Sequence, residues 1–257
     1  MSERIALVTG ATSGIGRQFA VELAGRGWRV VCAARDEGRL ARLLEQLPGA
    51  GHEILAVDLA TDHGVDAVAS RLTIEPDAVS LLVNAAGSGT TAPYPLAPLA
   101  EEITMLRLNV EAVLRLSHAA AHAMTRRGHG GIINVSSTAA YWSAGTYAAS
   151  KAWVLAATLG LRAQVAGQGL RVMAVAPGFT KTEFHARSAT DASGVRPWLW
   201  LEADQVVEEA LAALAADRAV CIPGRRYRAL VETVRHLPPG GRRAVLGRLA
   251  PLRGARP

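Results

Sequence analysis

The chain has 257 residues, half of them hydrophobic and 19% charged, which suits one α/β domain with a sizeable buried core. Its longest apolar stretches are shorter than the roughly 18 to 20 residues of a membrane-spanning helix, and no signal peptide is visible. These features exclude a transmembrane protein and predict a cytoplasmic one. Cys32 and Cys221 lie in apolar, strand-like runs, so we expect two buried free thiols rather than a disulfide.

The positive charge is concentrated near the C-terminus. Residues 218–257 carry ten arginines, no lysine and one acidic residue, a net charge of +9 within a total of +6, so the rest of the chain sums to −3. A nucleic-acid-binding protein would place such charge on a module with base-stacking or base-reading groups, and none is recognisable, which excludes nucleic acid as a partner. We expect the basic C-terminal extension, about 224–257, to cover the core, to cap a helix or to dock an acidic partner.

Strand-like apolar runs alternate with helical patterns along the chain. The predicted strands are 4–10, 28–34, 53–59, 79–87, 130–137, 170–178 and 218–224, and the predicted helices are 15–27, 36–47, 61–72, 99–127, 147–167 and 203–216. Continuous Val/Ile/Leu runs are typical of strands covered on both faces. We therefore predict an α/β, Rossmann-like fold, a doubly wound, mostly parallel seven-stranded sheet with helices on both faces, in a single domain spanning residues 1–257.

A glycine-rich turn joins the first strand to the first helix in VTGATSGIGRQFA. Gly10, Gly14 and Gly16 provide a turn without side chains, so that a pyrophosphate can approach backbone N–H groups at the helix N-terminus. Glycines also end strands and allow close helix packing. At this position of a βαβ unit, however, the pattern favours a dinucleotide site.

The TGxxxGxG spacing resembles that of the short-chain dehydrogenase/reductase family, in its single-domain branch. Further motifs follow in the family's order over residues 4 to about 183: VDL, NAAG, LNV, YxxxK and PGFTKT. The resemblance implies that Asp58 meets the adenine, that Asn84 steadies the central strands and that Thr182 faces the nicotinamide carboxamide. The full set of implied cofactor-binding residues is Gly10, Thr12, Ser13, Gly14, Ile15, Gly16, Arg35, Asp58, Leu59, Asn84, Ala85, Gly87, Tyr147, Lys151, Pro177, Gly178, Thr180 and Thr182.

The end of the second predicted strand bears on the choice between NAD and NADP. An enzyme selecting NAD places an acidic residue there, which accepts a hydrogen bond from the ribose 2′-OH and repels a 2′-phosphate. In this chain Ala34 occupies that place, and Arg35 follows with a guanidinium able to grip a phosphate. Asp36 is expected to cap the next helix. The sequence therefore favours NADP(H).

Tyr147 and Lys151 form the candidate catalytic pair. Residues four apart on a helix share one face, with β-carbons within about 6 Å, so both side chains can reach the same ribose–nicotinamide edge. A nearby ammonium and a positive nicotinamide ring both favour phenolate, so we expect the pKa of Tyr147 to be lowered from about 10. Tyr141 has no lysine at this spacing and is the weaker candidate.

The resemblance also implies a serine that polarises the substrate carbonyl and an asparagine that holds a water relaying protons to Lys151. The serine is Ser137 or Ser136, since adjacent strand residues point to opposite faces, and we favour Ser137. Ser137 precedes Tyr147 by ten residues, three fewer than is usual in the family, so the loop on the substrate side is short. The asparagine is Asn109, whose other interpretation is a polar residue that kinks a long helix.

The expected activity is hydride transfer between NADP(H) and a carbonyl or alcohol, with Tyr147 as proton donor and Ser137 stabilising the oxyanion. A substrate lid is expected over about 183–203, where Trp198 and Trp200, with Trp142 from the short loop, could roof an apolar pocket or simply pack on the body. The expected substrate is a small, hydrophobic carbonyl compound or alcohol, free or bound to a carrier protein.

Other interpretations of the sequence stay open. The arginine-rich extension fits a non-catalytic NADP(H) sensor docking on an acidic partner or membrane surface, and the cofactor site also fits an epimerase or lyase. His118 and His122 stand four residues apart, but no third ligand suggests itself and we expect no metal. By resemblance only, we expect a homodimer or homotetramer.

Overall fold

Seven parallel strands form one open sheet in the computed structural model, which describes residues 4–75, 77–92, 94–142, 145–184, 194–238, 240–241 and 245. The strand order is β3-β2-β1-β4-β5-β6-β7, and every described strand pair is parallel. The strands are β1 Ile5–Thr9, β2 Arg29–Ala34, β3 Glu53–Ala56, β4 Val79–Asn84, β5 Gly130–Val135, β6 Leu170–Val175 and β7 Val220–Cys221. The predicted Rossmann-like, doubly wound fold is confirmed.

Helices connect the strands. They are α1 Gly14–Gly25, α2 Glu37–Gln46, α3 Asp62–Thr73, α4 Leu99–Leu106, α5 Ala112–Arg127, α6 Gly145–Gln164, α7 Ala203–Ala215 and α8 Arg225–Arg235. A π-helical turn, Arg107–Glu111, joins α4 to α5, and two 3₁₀ turns span Thr138–Tyr141 and Pro197–Leu199. No helix within the described residues is both long enough and apolar enough to cross a membrane.

The core lies in two layers because successive strand side chains point to opposite faces of the sheet. On β1, Ala6 and Val8 pack with α1, α2 and α7, whereas Ile5 and Leu7 pack with α3 and α5. Both layers are almost free of solvent, which explains the continuous apolar runs of the strands. Cys32 and Cys221 are buried and unpaired, as predicted, and burial raises the pKa values of their thiols to about 12 and about 11.

Two features differ from the sequence prediction, and one selects among the alternatives that it left open for the basic extension. The helix expected over 99–127 is divided into α4 and α5 by the π-helical turn, a local insertion that the apolar pattern of the sequence did not reveal. The basic extension contains α8, which buries Tyr227, Val231 and Val234 and so covers the core. Of the substrate lid expected over about 183–203, residues 185–193 lie outside the described residues, whereas Val195 and Leu199 belong to the core.

The strand order reverses direction at β1, between β2 and β4, so a crevice opens at the carboxyl ends of β1 and β4. In open α/β sheets, ligands bind at this topological switch point. The glycine turn, the NAAG segment and the end of β5 all lie along this edge.

Candidate active site

The glycine turn wraps closely around the start of α1. Gly10 and Gly14 have positive φ angles of 68° and 52°, which favour glycine. A side chain on Gly16 would collide with the carbonyl oxygen of Gly10, so helix and strand approach each other as the motif requires. Ser13 is the N-cap of α1, but its side chain makes no capping hydrogen bond, which leaves the first N–H groups of the helix available to an anion. Thr12 beside it is partly exposed, whereas Ile15 packs on the core.

Thr9 connects this turn to the NAAG segment, a function that the sequence analysis missed. Its hydroxyl oxygen accepts hydrogen bonds from the backbone N–H groups of Ala85 (3.0 Å) and Ala86 (3.1 Å). The position directly before Gly10 was the available signal. Thr9 thereby holds together the backbone of two segments that the sequence predicts to bind the cofactor.

Asn84 joins the central strands through a buried amide network. Its Nδ2 donates to Asn134 Oδ1 at 2.9 Å and to Ser117 Oγ at 3.2 Å, and Asn134 Nδ2 in turn donates to Thr158 Oγ1 at 3.1 Å. The network ties β4 and β5 to α5 and α6, and its members are buried. It therefore fixes the strand ends that carry the site.

Arg35 lies beside the glycine turn. Thr9 pairs with Ala33 in the sheet, which places the end of β2 next to Gly10. Ala34 is buried at this end, and the exposed guanidinium of Arg35 has no hydrogen bond or ion pair to any described residue. Asp36 caps α2 by accepting a hydrogen bond from Arg39 N, as expected.

Asp58 follows β3 at the same edge of the sheet, next to the buried Leu59. Its carboxylate accepts a hydrogen bond from Ala60 N at 2.9 Å. The N-cap of α3 is Thr61, whose hydroxyl accepts a hydrogen bond from Gly64 N, so Asp58 does not cap this helix.

The Ser137 hydroxyl lies close enough to the Tyr147 phenol to lower its pKa. Ser137 lies two residues after β5, at the N-cap of the 3₁₀ turn Thr138–Tyr141. Its hydroxyl oxygen accepts a hydrogen bond from Ala139 N at 3.1 Å. Ser136 points the other way and donates to the carbonyl of Lys151 at 2.7 Å. The structure thus brings Ser137, and not Ser136, to the phenol, because the two adjacent side chains alternate about the backbone.

Burial controls the charge of the Tyr147–Lys151 pair. It raises the pKa of Tyr147 to about 12, which the nearby Ser137 hydroxyl opposes, and it lowers the pKa of Lys151 to about 8. The ammonium lies 5.9 Å from the Tyr147 ring centroid and donates to the carbonyl of Val135 at 3.0 Å. The lowered phenol pKa expected from the sequence is therefore wrong, since the effect of desolvation on the pKa outweighs that of Ser137.

Asn109 lies in the π-helical turn and is fully buried. Its Oδ1 accepts from Ser88 N at 3.0 Å, and its Nδ2 donates to Ser88 O at 2.9 Å and to Ser150 Oγ at 3.2 Å. A Cβ on Gly87 would lie 3.1 Å from Asn109 Oδ1 and 3.3 Å from Lys151 Nζ. Glycine at this position keeps the space between these two polar groups open.

The segment after β6 lies against the glycine turn. A Cβ on Gly14 would lie 3.0 Å from the side chain of Thr182, so this segment and the glycine turn are in contact range. Pro177 and Gly178 lead into this segment, and Thr180 is buried with its hydroxyl donating to Gly178 O at 3.0 Å. Thr180 therefore braces the backbone, whereas Thr182 faces the turn.

The aromatic side chains of the predicted substrate pocket differ in their exposure and contacts. Phe184 lies 5.5 Å from Tyr147 between ring centroids, a contact that the sequence analysis missed. Trp142 is half-buried at the end of its 3₁₀ turn, and Trp198 is 42% exposed. Trp200 instead packs against Phe179 and the core, at 5.8 Å between centroids.

An open parallel sheet with a glycine turn at its switch point defines a Rossmann-type dinucleotide-binding protein. Residues 4–193 match the family model described as short chain dehydrogenase. The chain belongs to the short-chain dehydrogenase/reductase family.

Characterised relatives agree in family and differ in substrate. The chain is 37% identical over 187 residues to sulfoacetaldehyde reductase 2 of Chromohalobacter salexigens, covering 70% of this chain and 74% of the relative. It is 34% identical over 230 residues to the 3-oxoacyl-(acyl-carrier-protein) reductase FabG of Escherichia coli, covering 86% and 93%. A short-chain dehydrogenase from Sphingobium yanoikuyae in complex with NADPH superposes with a TM-score of 0.83 at 30% identity, covering 99% of this chain and 98% of that one.

Proposed function

We propose that the protein is an NADP(H)-dependent oxidoreductase of the ketoreductase type, which transfers hydride between the nicotinamide and the carbonyl or alcohol group of a hydrophobic substrate. The observation that carries the proposal is the Tyr147–Lys151 pair, with the Lys151 ammonium 5.9 Å from the phenol ring and the Ser137 hydroxyl close enough to lower the pKa of the phenol. These three groups lie at the carboxyl edge of the sheet, beside the glycine turn. They are the groups that protonating and stabilising a carbonyl oxygen requires.

The residues present fit NADP(H). The uncapped N-terminus of α1 suits the pyrophosphate, Gly87 leaves room between Asn109 and Lys151, and Arg35 offers a guanidinium without a partner among the described residues to a 2′-phosphate. The NADPH complex of the structural relative supports the same choice. When bound, this cofactor supplies the hydride for the carbonyl carbon.

Tyr147 is protonated at neutral pH because its pKa is raised to about 12, so it can donate its proton to the carbonyl oxygen as the alcohol forms. Ser137 donates a hydrogen bond to the developing oxyanion. Lys151 is charged below its pKa of about 8 and stabilises the phenolate left on Tyr147. Asn109 Oδ1 faces the space beside Gly87 and holds a water that returns a proton towards Lys151.

The proposed substrate class rests on Phe184, which contacts Tyr147, and on two tryptophans that the sequence predicts for the substrate pocket. Phe184 packs on the phenol, and Trp142 and Trp198 remain partly exposed. An apolar substrate that covered these rings would remove apolar surface from water, which favours its binding. The two relatives act, by their names, on sulfoacetaldehyde and on 3-oxoacyl groups of acyl carrier protein, and we place this substrate nearer the second, free or carrier-bound.

The test is NADPH oxidation across a panel of ketones and aldehydes of increasing apolar size, with Tyr147→Phe and Tyr141→Phe measured in parallel. We expect Tyr147→Phe to lower kcat by roughly 10²- to 10⁴-fold, because the proton donor is lost. Tyr141→Phe removes a phenol that does not belong to the Tyr147, Lys151 and Ser137 set and should stay within a few-fold of the wild type. Full activity of Tyr147→Phe would refute the proposal, and turnover without net NADPH oxidation would favour an epimerase.

A further inference from the structure

We propose that Tyr227 of the C-terminal helix α8 is a positioning residue for cofactor binding, which holds the cofactor loop in place through its hydroxyl group. The cofactor loop is defined as residues 177–182, and the lid base as residues 194–201. The inference rests on the proposed function only in taking NADPH as the bound cofactor. It assigns a role to the first part of the arginine-rich extension.

The Tyr227 hydroxyl bridges the two segments. It accepts a hydrogen bond from Phe179 N of the cofactor loop at 2.9 Å and donates one to Leu199 O of the lid base at 2.8 Å. The side chain is 3% exposed, so water does not replace either bond. Phe179 N and Leu199 O lie outside regular helix and strand ladders, and the phenol satisfies both.

The backbone of the two segments is paired directly as well. Leu201 N donates to Phe179 O at 2.8 Å, and Lys181 N donates to Leu201 O at 2.9 Å, which forms a parallel bridge between Thr180 and Leu201. Tyr227 stands at the open end of this bridge. In a longer parallel ladder, the next hydrogen bond would run from Phe179 N to Leu199 O. The Tyr227 hydroxyl bridges these two atoms instead.

The tyrosine ring also covers the start of the cofactor loop. A Cβ added to Gly178 would collide with the Tyr227 ring, so the ring lies flush on the glycine backbone. The neighbouring Arg226 donates to Trp198 O at 3.1 Å, and its guanidinium lies 5.7 Å from the Trp198 ring centroid. Two successive residues of α8 thus contact the cofactor loop and the lid base.

The loop transmits this contact to the cofactor site. Three residues beyond Phe179 lies Thr182, whose side chain reaches the Gly14 turn. A hydrogen bond that fixes Phe179 limits the freedom of Thr182 before any cofactor binds. Binding then has less chain to order, and this lowers its entropic cost.

The experiment compares Tyr227→Phe with Val231→Ala. The first keeps the ring and removes only the hydroxyl, whereas the second makes a cavity under α8 without touching the loop, since Val231 is buried one turn further along. Hydrogen exchange measured by mass spectrometry reports the peptide over residues 177–184, and NADPH fluorescence reports the Kd. For Tyr227→Phe we expect exchange faster and NADPH binding weaker by roughly five- to tenfold each, the size of one lost buried hydrogen bond.

Val231→Ala should lower Tm at least as much as Tyr227→Phe but leave both readouts within twofold of the wild type. Equal exchange in Tyr227→Phe and wild type overturns the inference, as does an equal loss of NADPH affinity in Val231→Ala. Gly178→Ala, which must push the ring away, serves as a second variant in the exchange measurement, where the same faster exchange is expected. Neither readout requires turnover. If no ketone or aldehyde of the panel were reduced, the proposed function would be refuted, and the exchange and binding data would still test the role of Tyr227.

Discussion

At the residue scale, the site depends on two ionisable side chains, the buried Lys151 and the half-buried Tyr147. Desolvation moves the pKa of Tyr147 up and that of Lys151 down, so both changes favour the uncharged forms. A phenol protonated at neutral pH is suited to donate a proton, that is, to work in the direction of carbonyl reduction. The ammonium remains charged at pH 7, but at a cost in stability.

That cost can be measured with Lys151→Met. The pKa of Lys151 is 10.5 in the unfolded chain and about 8 in the folded one, so the penalty is present in full below pH 8 and disappears as pH rises to 10.5. It corresponds to about 3 kcal/mol, offset in part by the hydrogen bond to Val135 O that methionine lacks. We expect Lys151→Met to be inactive yet more stable at pH 7, with the difference in unfolding free energy shrinking between pH 8 and 10.5.

Denaturant unfolding at several pH values measures this difference, and Lys181→Met, at an exposed lysine, is the control. A variant that is less stable than the wild type at pH 7 would show that the ammonium is better solvated than its burial implies.

The two serines provide a matched pair of substitutions. Ser137→Ala removes the hydroxyl that contacts Tyr147 and should lower kcat by roughly 10²- to 10³-fold at nearly constant Tm. Ser136→Ala removes a buried hydrogen bond to Lys151 O and should cost about 1 kcal/mol of stability, with kcat within a few-fold of the wild type. Steady-state kinetics and thermal unfolding of both variants decide the assignment, and the opposite pattern would identify Ser136 as the catalytic serine.

At the scale of elements, the junctions between strands and helices carry the site. The π-helical turn between α4 and α5 buries Asn109, which a continuous α-helix would rotate to another direction. The register of β1 with β2 places Arg35 beside the glycine turn, and Asp36 starts α2 directly after it. Short junctions of this kind leave little freedom for the side chains they hold.

Arg35, between β2 and α2, predicts a preference for NADPH over NADH. Arg35→Ala should weaken NADPH binding by roughly 10- to 100-fold, the value of a charge-assisted contact to phosphate, and leave NADH binding nearly unchanged. Arg42→Ala, at an exposed arginine further along α2, is the control for a general change in charge. Fluorescence titration of both cofactors measures the effect, and an equal loss for NADPH and NADH would refute a contact between Arg35 and the 2′-phosphate.

At the scale of the whole molecule, α4, α5 and α6 leave apolar side chains exposed on the side of the sheet away from α1 and α7. Leu106 is 44% exposed, Leu114 is 52% exposed and Leu159 is 39% exposed. Together with the family resemblance, these leucines support self-association as a dimer or tetramer through these helices.

Leu114→Glu should disrupt this association, because it places a charge on a surface that the assembly would bury. Ile74→Glu is the control, since Ile74 is comparably exposed but lies at the end of α3. Light scattering after size-exclusion chromatography measures the mass. A monomeric wild type, or an unchanged mass for Leu114→Glu, would contradict the prediction.

The sequence by itself determined the order of strands and helices, the glycine turn and the spacing of Tyr147 and Lys151. These features depend on local patterns, the apolar runs of buried strands and the four-residue repeat of a helix, which are legible without any long-range contact. Arg35 was recognisable for the same reason, since it follows the end of a strand directly.

Only the tertiary structure decided which serine meets the phenol, where Asn109 points and how α8 fastens the cofactor loop. Ser137 and Tyr147, Asn109 and Ser88, and Tyr227 and Phe179 come together from separate parts of the chain. The pKa directions were likewise not predictable, because they depend on how completely other segments cover Tyr147 and Lys151. Desolvation depends on how the folded protein surrounds a side chain, and a local pattern of residues does not determine it.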